Sequence, residues 1–177
     1  IRVVIPISRR ETKTARAEER AAIVGLVSRR MRRPEAERSL EELARLSSAA
    51  GGTVVLRVLQ ERAVPDPATF LGRGKIETLS RACDEQAIDL VVFDNELSPA
   101  QTREIEAAVG RKVLDRTQLI LDIFARRARS REGKWQVELA QLEYLLPRLV
   151  GAGGALSRLG GGIGTRGPGE TKLETDR

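Results

Sequence analysis

Histidine is absent from this sequence of 177 residues, and cysteine occurs once, at Cys83. One thiol and no imidazole cannot assemble a zinc site. A Ser-His or Cys-His nucleophile pair is excluded on the same ground. A single cysteine forbids an internal disulfide, which fits a reducing, cytoplasmic setting better than a secreted scaffold. Aromatic residues make up only 3% of the chain, so Leu, Val, Ile and Ala must fill the core. No apolar run approaches membrane-spanning length. The opening "IRVVIPIS" is too short and too polar-flanked for a signal peptide. A chain that begins at Ile rather than Met reads as part of a longer protein.

What is present is charge, mostly arginine. The net charge is +6. Residues 1–38 carry 11 basic and 5 acidic side chains, residues 39–115 carry 9 and 13, and residues 116–177 carry 11 and 7. A mildly acidic middle between two basic ends suggests a polyanionic partner, RNA or DNA before membrane. The alternative is an arginine-rich but merely solvated surface.

Strand and helix patterns alternate along residues 1–128. "RVVIPI" (2–7) predicts a strand. Residues 8–38 are polar and arginine-rich, with an apolar island at 21–27 that fits a short helix or a strand, and their order is left open. "SLEELARLSSAAGG" predicts a helix, with Ser39 and Glu42 as a capping box and Gly51–Gly52 as its exit. "TVVLRVLQ" (53–60) predicts a strand, 65–75 a loop, 76–88 a helix and "LVVF" (90–93) a buried strand. Ser98, Pro99 and Gln101 then open a helix that Gly110 closes. "KVLD" (112–115) predicts a strand and 117–128 a helix. Short loops between such elements imply βαβ units and a small, mostly parallel sheet flanked by helices, an α/β fold.

After residue 128 the strands stop. In "KWQVELAQLEYLLPRLV" (134–150), Trp135, Leu139, Leu142, Leu146 and Leu149 recur in steps of four and three, a seam for one partner helix. Pro147 should kink or loosen the last turn. Residues 151–169 hold nine glycines and read as a long loop. Thr171 and Glu174 form a new capping box. Residues 129–177 are therefore expected to form a helical hairpin arm with a glycine-rich tip at 151–169. Its returning helix starts within 171–177, and the chain is expected to continue past Arg177.

Four stretches carry candidate chemistry. "GGGIGTRGPGETKLETDR" (160–177) has the glycine spacing of a phosphate-binding P-loop at Gly164 and Gly169, followed by Thr171. Glu170, however, stands where the phosphate-binding lysine belongs, and no strand precedes the loop. Gly72, Arg73, Gly74 and Lys75 precede a helix and could hold a phosphate at its N-terminus, without the full dinucleotide fingerprint. Arg126, Arg127, Arg129, Arg131 and Lys134 crowd a helix junction opposed only by Glu132, a phosphate-contact patch or a solvated face. The tip adds Arg158, Arg166 and Lys172, with Gly161, Gly162 and Gly167 allowing close backbone approach. Arg148 joins this set as an RNA-contact candidate. A flexible linker is the alternative for the tip, but a linker needs no capped helix beyond it. The carboxylate pairs Glu41–Glu42 and Glu18–Glu19 lie on polar stretches and are not read as acid/base catalysts.

The stretches "PDPATFLGRGKIETL", "DLVVFDNELSPAQTREIEAAVGRKVLDRTQLILDIFARRARSREGKWQVELAQLEYLLPRLV" and "GGGIGTRGPGETKLETDR" together resemble the HflX family of translational GTPases. The resemblance covers about residues 39–177, and 1–38 only loosely. It implies an N-terminal α/β domain, a two-helix arm and a following Ras-like G domain. It implies binding to the large ribosomal subunit and its rRNA, with the arm tip directed at the peptidyl-transferase centre. It also implies ribosome splitting or rescue under stress.

GTP and Mg²⁺ would belong to the G domain, whose motifs do not occur in these 177 residues. No cofactor, metal or catalytic residue is therefore expected within them. The expected partners are rRNA and the protein's own G domain, with the protein acting as a monomer. Two other functions stay open. One is a nucleotide-phosphate-binding domain using the 72–75 loop. The other is an intramolecular regulator of the G domain.

Overall fold

The computed structural model describes residues 18–149. The expected strand at 2–7, the tip and the returning helix lie outside them. The elements are β1 (Glu19–Val27), α1 (Arg33–Ala49), β2 (Gly52–Glu61), α2 (Arg73–Glu85), β3 (Leu90–Phe93), α3 (Pro99–Val109), β4 (Lys112–Asp115), α4 (Arg116–Arg127) and α5 (Arg131–Leu149). The four strands form one parallel sheet in the order β2-β1-β3-β4. The α/β class with a parallel sheet thus holds.

The ambiguous island at 21–27 is a strand, and it is central. Ala21 to Leu26 are all buried, because helices cover both faces. Such a strand shows no alternation of apolar and polar residues, which is why its pattern could not separate strand from helix. Its side chains still alternate in direction. Ala21 and Ile23 join Leu90, Val92 and Leu114 against α1 and α4, through Leu40, Leu43, Leu119 and Ile123. Ala22 and Val24 join Val91, Phe93 and Val113 against α2 and α3, through Ile76, Leu79, Cys83, Ile105 and Val109. Each fully buried aliphatic or Phe side chain contributes roughly 1.5–3 kcal/mol of transfer free energy.

The start of α1 differs from expectation. The helix begins six residues earlier than Ser39, with Arg32 as N-cap, Pro34 in the first turn and the Arg32 amide donating to Glu35 Oε2 at 3.2 Å. Ser39 lies inside the helix, where its hydroxyl accepts from Arg116 Nη1 at 3.3 Å. The exit at Gly51 is as expected, with φ of 90°. The helix expected at 76–88 runs instead over Arg73–Glu85, so the preceding loop is shorter. In that loop Phe70 has φ of 63°, a costly backbone for an aromatic residue. Its ring is buried edge-to-face against Phe93 at 5.7 Å, which holds it there.

The signals around α3 hold in detail. Ser98 Oγ accepts from the Gln101 amide at 3.1 Å and Gln101 Oε1 accepts from the Ser98 amide at 3.0 Å. Gly110 closes the helix with φ of 63°. α5 runs through Pro147 to Leu149.

Candidate nucleic-acid interface

The arginine-rich junction lies where α4 ends and α5 begins. Ala128 leaves the helical region with ψ of 121°, and Ser130 restarts the chain as a helix. Its hydroxyl accepts from the Gly133 amide at 3.0 Å, and its carbonyl from the Lys134 amide at 3.0 Å. A Cβ on Gly133 would sit 2.9 Å from that hydroxyl, so a larger residue there would require the serine side chain to shift. Sequence analysis did not single out this cap, although Ser three residues before Gly was visible.

The five cations of the junction divide. Arg126 donates to the Ala50 carbonyl and closes the end of α1, so it serves the fold. Arg127, Arg129, Arg131 and Lys134 are exposed. They make no ion pair among the described residues. Their charges stand open to solvent.

Arg148 is a correction. Its side chain is buried, not presented to solvent. Nη2 donates to the Leu97 carbonyl at 2.6 Å, Nη1 to the Tyr144 carbonyl at 2.9 Å, and the guanidinium lies 3.6 Å from the Tyr144 ring centroid. It also pairs with Asp115 at 3.6 Å. A guanidinium held this way cannot also contact RNA.

Asp115, at the end of β4, ties these elements together. Oδ1 accepts from the Gln118 amide at 2.9 Å and caps α4. Oδ2 accepts from the Leu97 amide at 3.0 Å and from the Tyr144 hydroxyl. Burial, then the Asp115 carboxylate, pushes the Tyr144 phenol far above its ordinary range. Two turns further along α4, Asp122 is buried beside Gln118 and Gln141 at 3.4 and 3.3 Å. Desolvation raises its carboxyl to about 6, against the opposing pull of Lys112. The same burial lowers Lys112.

The phosphate candidate at 72–75 lies within the first turn of α2 rather than before it. Gly72 is the N-cap. Its amide is already bound to Gln60 Oε1 at 3.1 Å, and the Lys75 amide to the Gly72 carbonyl at 2.9 Å. Arg73 and Gly74 are exposed and Lys75 is half-buried. Two of the amides that would cradle a phosphate are thus occupied.

The neighbouring carboxylates Glu41 and Glu42 are ion-paired on the surface. Glu41 binds Arg57, whose hydrogen bond holds its carboxyl below the ordinary value. Glu42 binds Arg116 at 2.9 Å. Among the described residues no group of acidic, Cys or His side chains is arranged to hold a metal, and no helix is long and apolar enough to cross a membrane. Arg158, Gly161, Gly162, Arg166, Gly167 and Lys172 lie outside the described residues.

The seam of α5 is present and uncovered among the described residues. Trp135, Leu139, Leu142 and Leu146 are exposed. The opposite stripe, Val137, Gln141, Tyr144 and Arg148, faces the α/β body. Sequence analysis missed this second stripe because half of it is polar.

Residues 37–125 match the family model described as GTP-binding GTPase N-terminal, and residues 127–177 match GTP-binding GTPase Middle Region. The chain is 54% identical over 163 residues to the GTPase HflX of Caldanaerobacter subterraneus subsp. tengcongensis, covering 92% of this chain and 37% of that protein. It is 50% identical over 138 residues to the GTPase HflX of Escherichia coli, covering 78% of this chain and 32% of that protein. It therefore spans about a third of the length of each of these relatives. A solved GTP-binding protein from Sulfolobus solfataricus in complex with GDP superposes with a TM-score of 0.56 at 27% identity, over 75% of this chain and 38% of that one. With both family models matched in order along one continuous chain, the protein belongs to the HflX family of GTPases.

Proposed function

We propose that this chain is the part of an HflX-type GTPase that holds the large ribosomal subunit through its rRNA, while GTP hydrolysis belongs to a G domain elsewhere in the complete protein. The observation that carries this reading is the α4–α5 junction. Arg127, Arg129, Arg131 and Lys134 are exposed there without ion pairs, at the root of an arm. Unpaired surface cations release counterions when they meet phosphate, and this gives affinity without sequence readout. In this reading the arm carries the tip cations Arg158, Arg166 and Lys172 away from the body into an RNA cavity. The mechanism is positional: the body docks by charge, the arm reaches, and the G domain switches the affinity. Ribosome splitting or rescue under stress, in the cytoplasm, is the role such an act would serve.

The test uses the complete protein. Arg127, Arg129 and Arg131 are replaced together by alanine, and large-subunit affinity is measured across a salt series. The slope of log affinity against log salt should fall by about three, one for each lost phosphate contact. An unchanged slope would sink the junction as the contact surface.

A further inference from the structure

We propose that Asp115, Tyr144 and Arg148 form a polar latch that fixes the direction of α5 against the sheet, with residues 128–130 as the pivot.

α5 is attached to the body in an unusual way. Its nineteen residues contribute nothing to either apolar core cluster, and only Arg148 among them is buried. Covalently, α5 joins α4 through three residues outside either helix. Such a joint would let a helix swing unless side chains held it.

Val137 and Leu145 are half-buried, but the side chains that bond α5 to the body are polar, and those of its last turns converge on one carboxylate. Tyr144 donates its hydroxyl to Asp115. Arg148 adds its charge to the same oxygen and donates to the Leu97 carbonyl at 2.6 Å. The Leu97 amide in turn donates to Asp115 at 3.0 Å. The latch therefore closes a ring from α5 to the β3–α3 loop to the end of β4 and back. Gln141, one turn nearer the pivot, adds a bond to Asp122 at 3.3 Å.

Hydrogen bonds demand direction where apolar packing does not. A helix held by apolar contact can slide or roll at small cost, whereas this ring is satisfied at one angle. The contact is not close-packed either. A cavity of about 30 Å³ remains beside Asp115, Gln118, Tyr144 and Arg148, lined also by Thr102 and Lys112. That is room for one water. The three residues act as positioning residues: they touch no partner, and they aim what does.

The test reads direction itself. In the complete protein, Ser48 on α1 and Glu138 on α5, both exposed, are changed to Cys and carry spin labels for pulsed dipolar distance measurement. Cys83 is buried, and burial pushes its thiol up, so it stays unlabelled. The parent should give one narrow distance distribution. The pair Tyr144→Phe and Arg148→Met removes the donors while keeping the bulk. It should broaden the distribution and leave hydrogen-exchange protection of β1 and β3 unchanged.

A distribution as narrow as the parent's would overturn the latch. So would broadening accompanied by lost protection in β1 and β3, which would show that the ring holds the body rather than the arm. If the pair does not fold, Tyr144→Phe alone removes the hydroxyl donor to Asp115 while keeping the aromatic face under the guanidinium, and is read by the same two outcomes. Large-subunit affinity is measured separately. A broadened arm with unchanged affinity leaves the latch standing and counts against the ribosomal reading. A narrow arm with weakened affinity does the reverse.

Discussion

β1 and α5 stand at opposite extremes of one chain. β1 buries six consecutive residues, Ala21 to Leu26, between two layers of helices. α5 has about twice as many residues and buries only Arg148. The strand is held by transfer of apolar surface, which is non-directional and scales with area. The helix is held by a few charged and hydroxyl groups that work at one geometry. The difference separates two jobs. The strand must stay folded under any load, and the helix must point.

The sharpest way to break this comparison is to remove apolar volume from the body. Phe93 is fully buried and packs edge-to-face on Phe70. Phe93→Ala should cost about 3–5 kcal/mol in urea unfolding. It also releases Phe70 from its left-handed backbone, so spectroscopic change should reach the 65–71 loop. A loss below about 1 kcal/mol would show that the sheet is not held as described.

A smaller effect comes from the polar side, and it depends on pH. Asp122 is buried with its carboxyl raised from 3.8 to about 6, facing Lys112 of β4, Gln118 and Arg126 of α4 and Gln141 of α5. A raised carboxyl favours the folded state while protonated. That stability is fully present below about pH 4 and is lost as pH rises to 6. The parent should therefore lose roughly 3 kcal/mol across this window relative to Asp122→Asn, and run parallel to it above. Parallel curves throughout would show that Asp122 is solvated in the folded protein.

The smallest effect is expected where apolar residues are most visible. Trp135 and Leu139 are 65% and 58% exposed. Replacing both with alanine should change the unfolding free energy of this chain by no more than about 0.5 kcal/mol. A loss as large as that of Phe93→Ala would mean that the seam is packed onto the body after all.

Local chemistry was legible where one residue type can do only one thing. Ser98, Pro99, Gln101 and Gly110 bound α3 as their order suggested, and "LVVF" is a strand. Ser39–Glu42 misled because the same four-residue pattern occurs inside helices, where Ser39 simply accepts from Arg116. The true start carried its own sign in Pro34 and Glu35, three residues apart from Arg32 at most. The ring on Asp115 was illegible for another reason. Leu97, Asp115 and the Tyr144–Arg148 pair are distant in sequence and mostly polar, so no single periodicity links them. Arg148 looked like its exposed neighbours because charge alone does not reveal which guanidinium has found a carboxylate. The junction cluster at 126–134 was legible as a cluster, though only the structure separates Arg126 from the four free cations.

The strand order carries one more consequence. β1 is the first described element of the chain, yet it lies inside the sheet, paired on one side with β2 and on the other with β3. A fragment trimmed to begin at α1 would look tidy, since it opens on a proline-marked helix. It would instead leave β2 with no neighbour and turn β3 into a raw edge, two surfaces that seek strands from other molecules. Any shortened version of this protein that is meant to stay soluble has to keep residues 19–27.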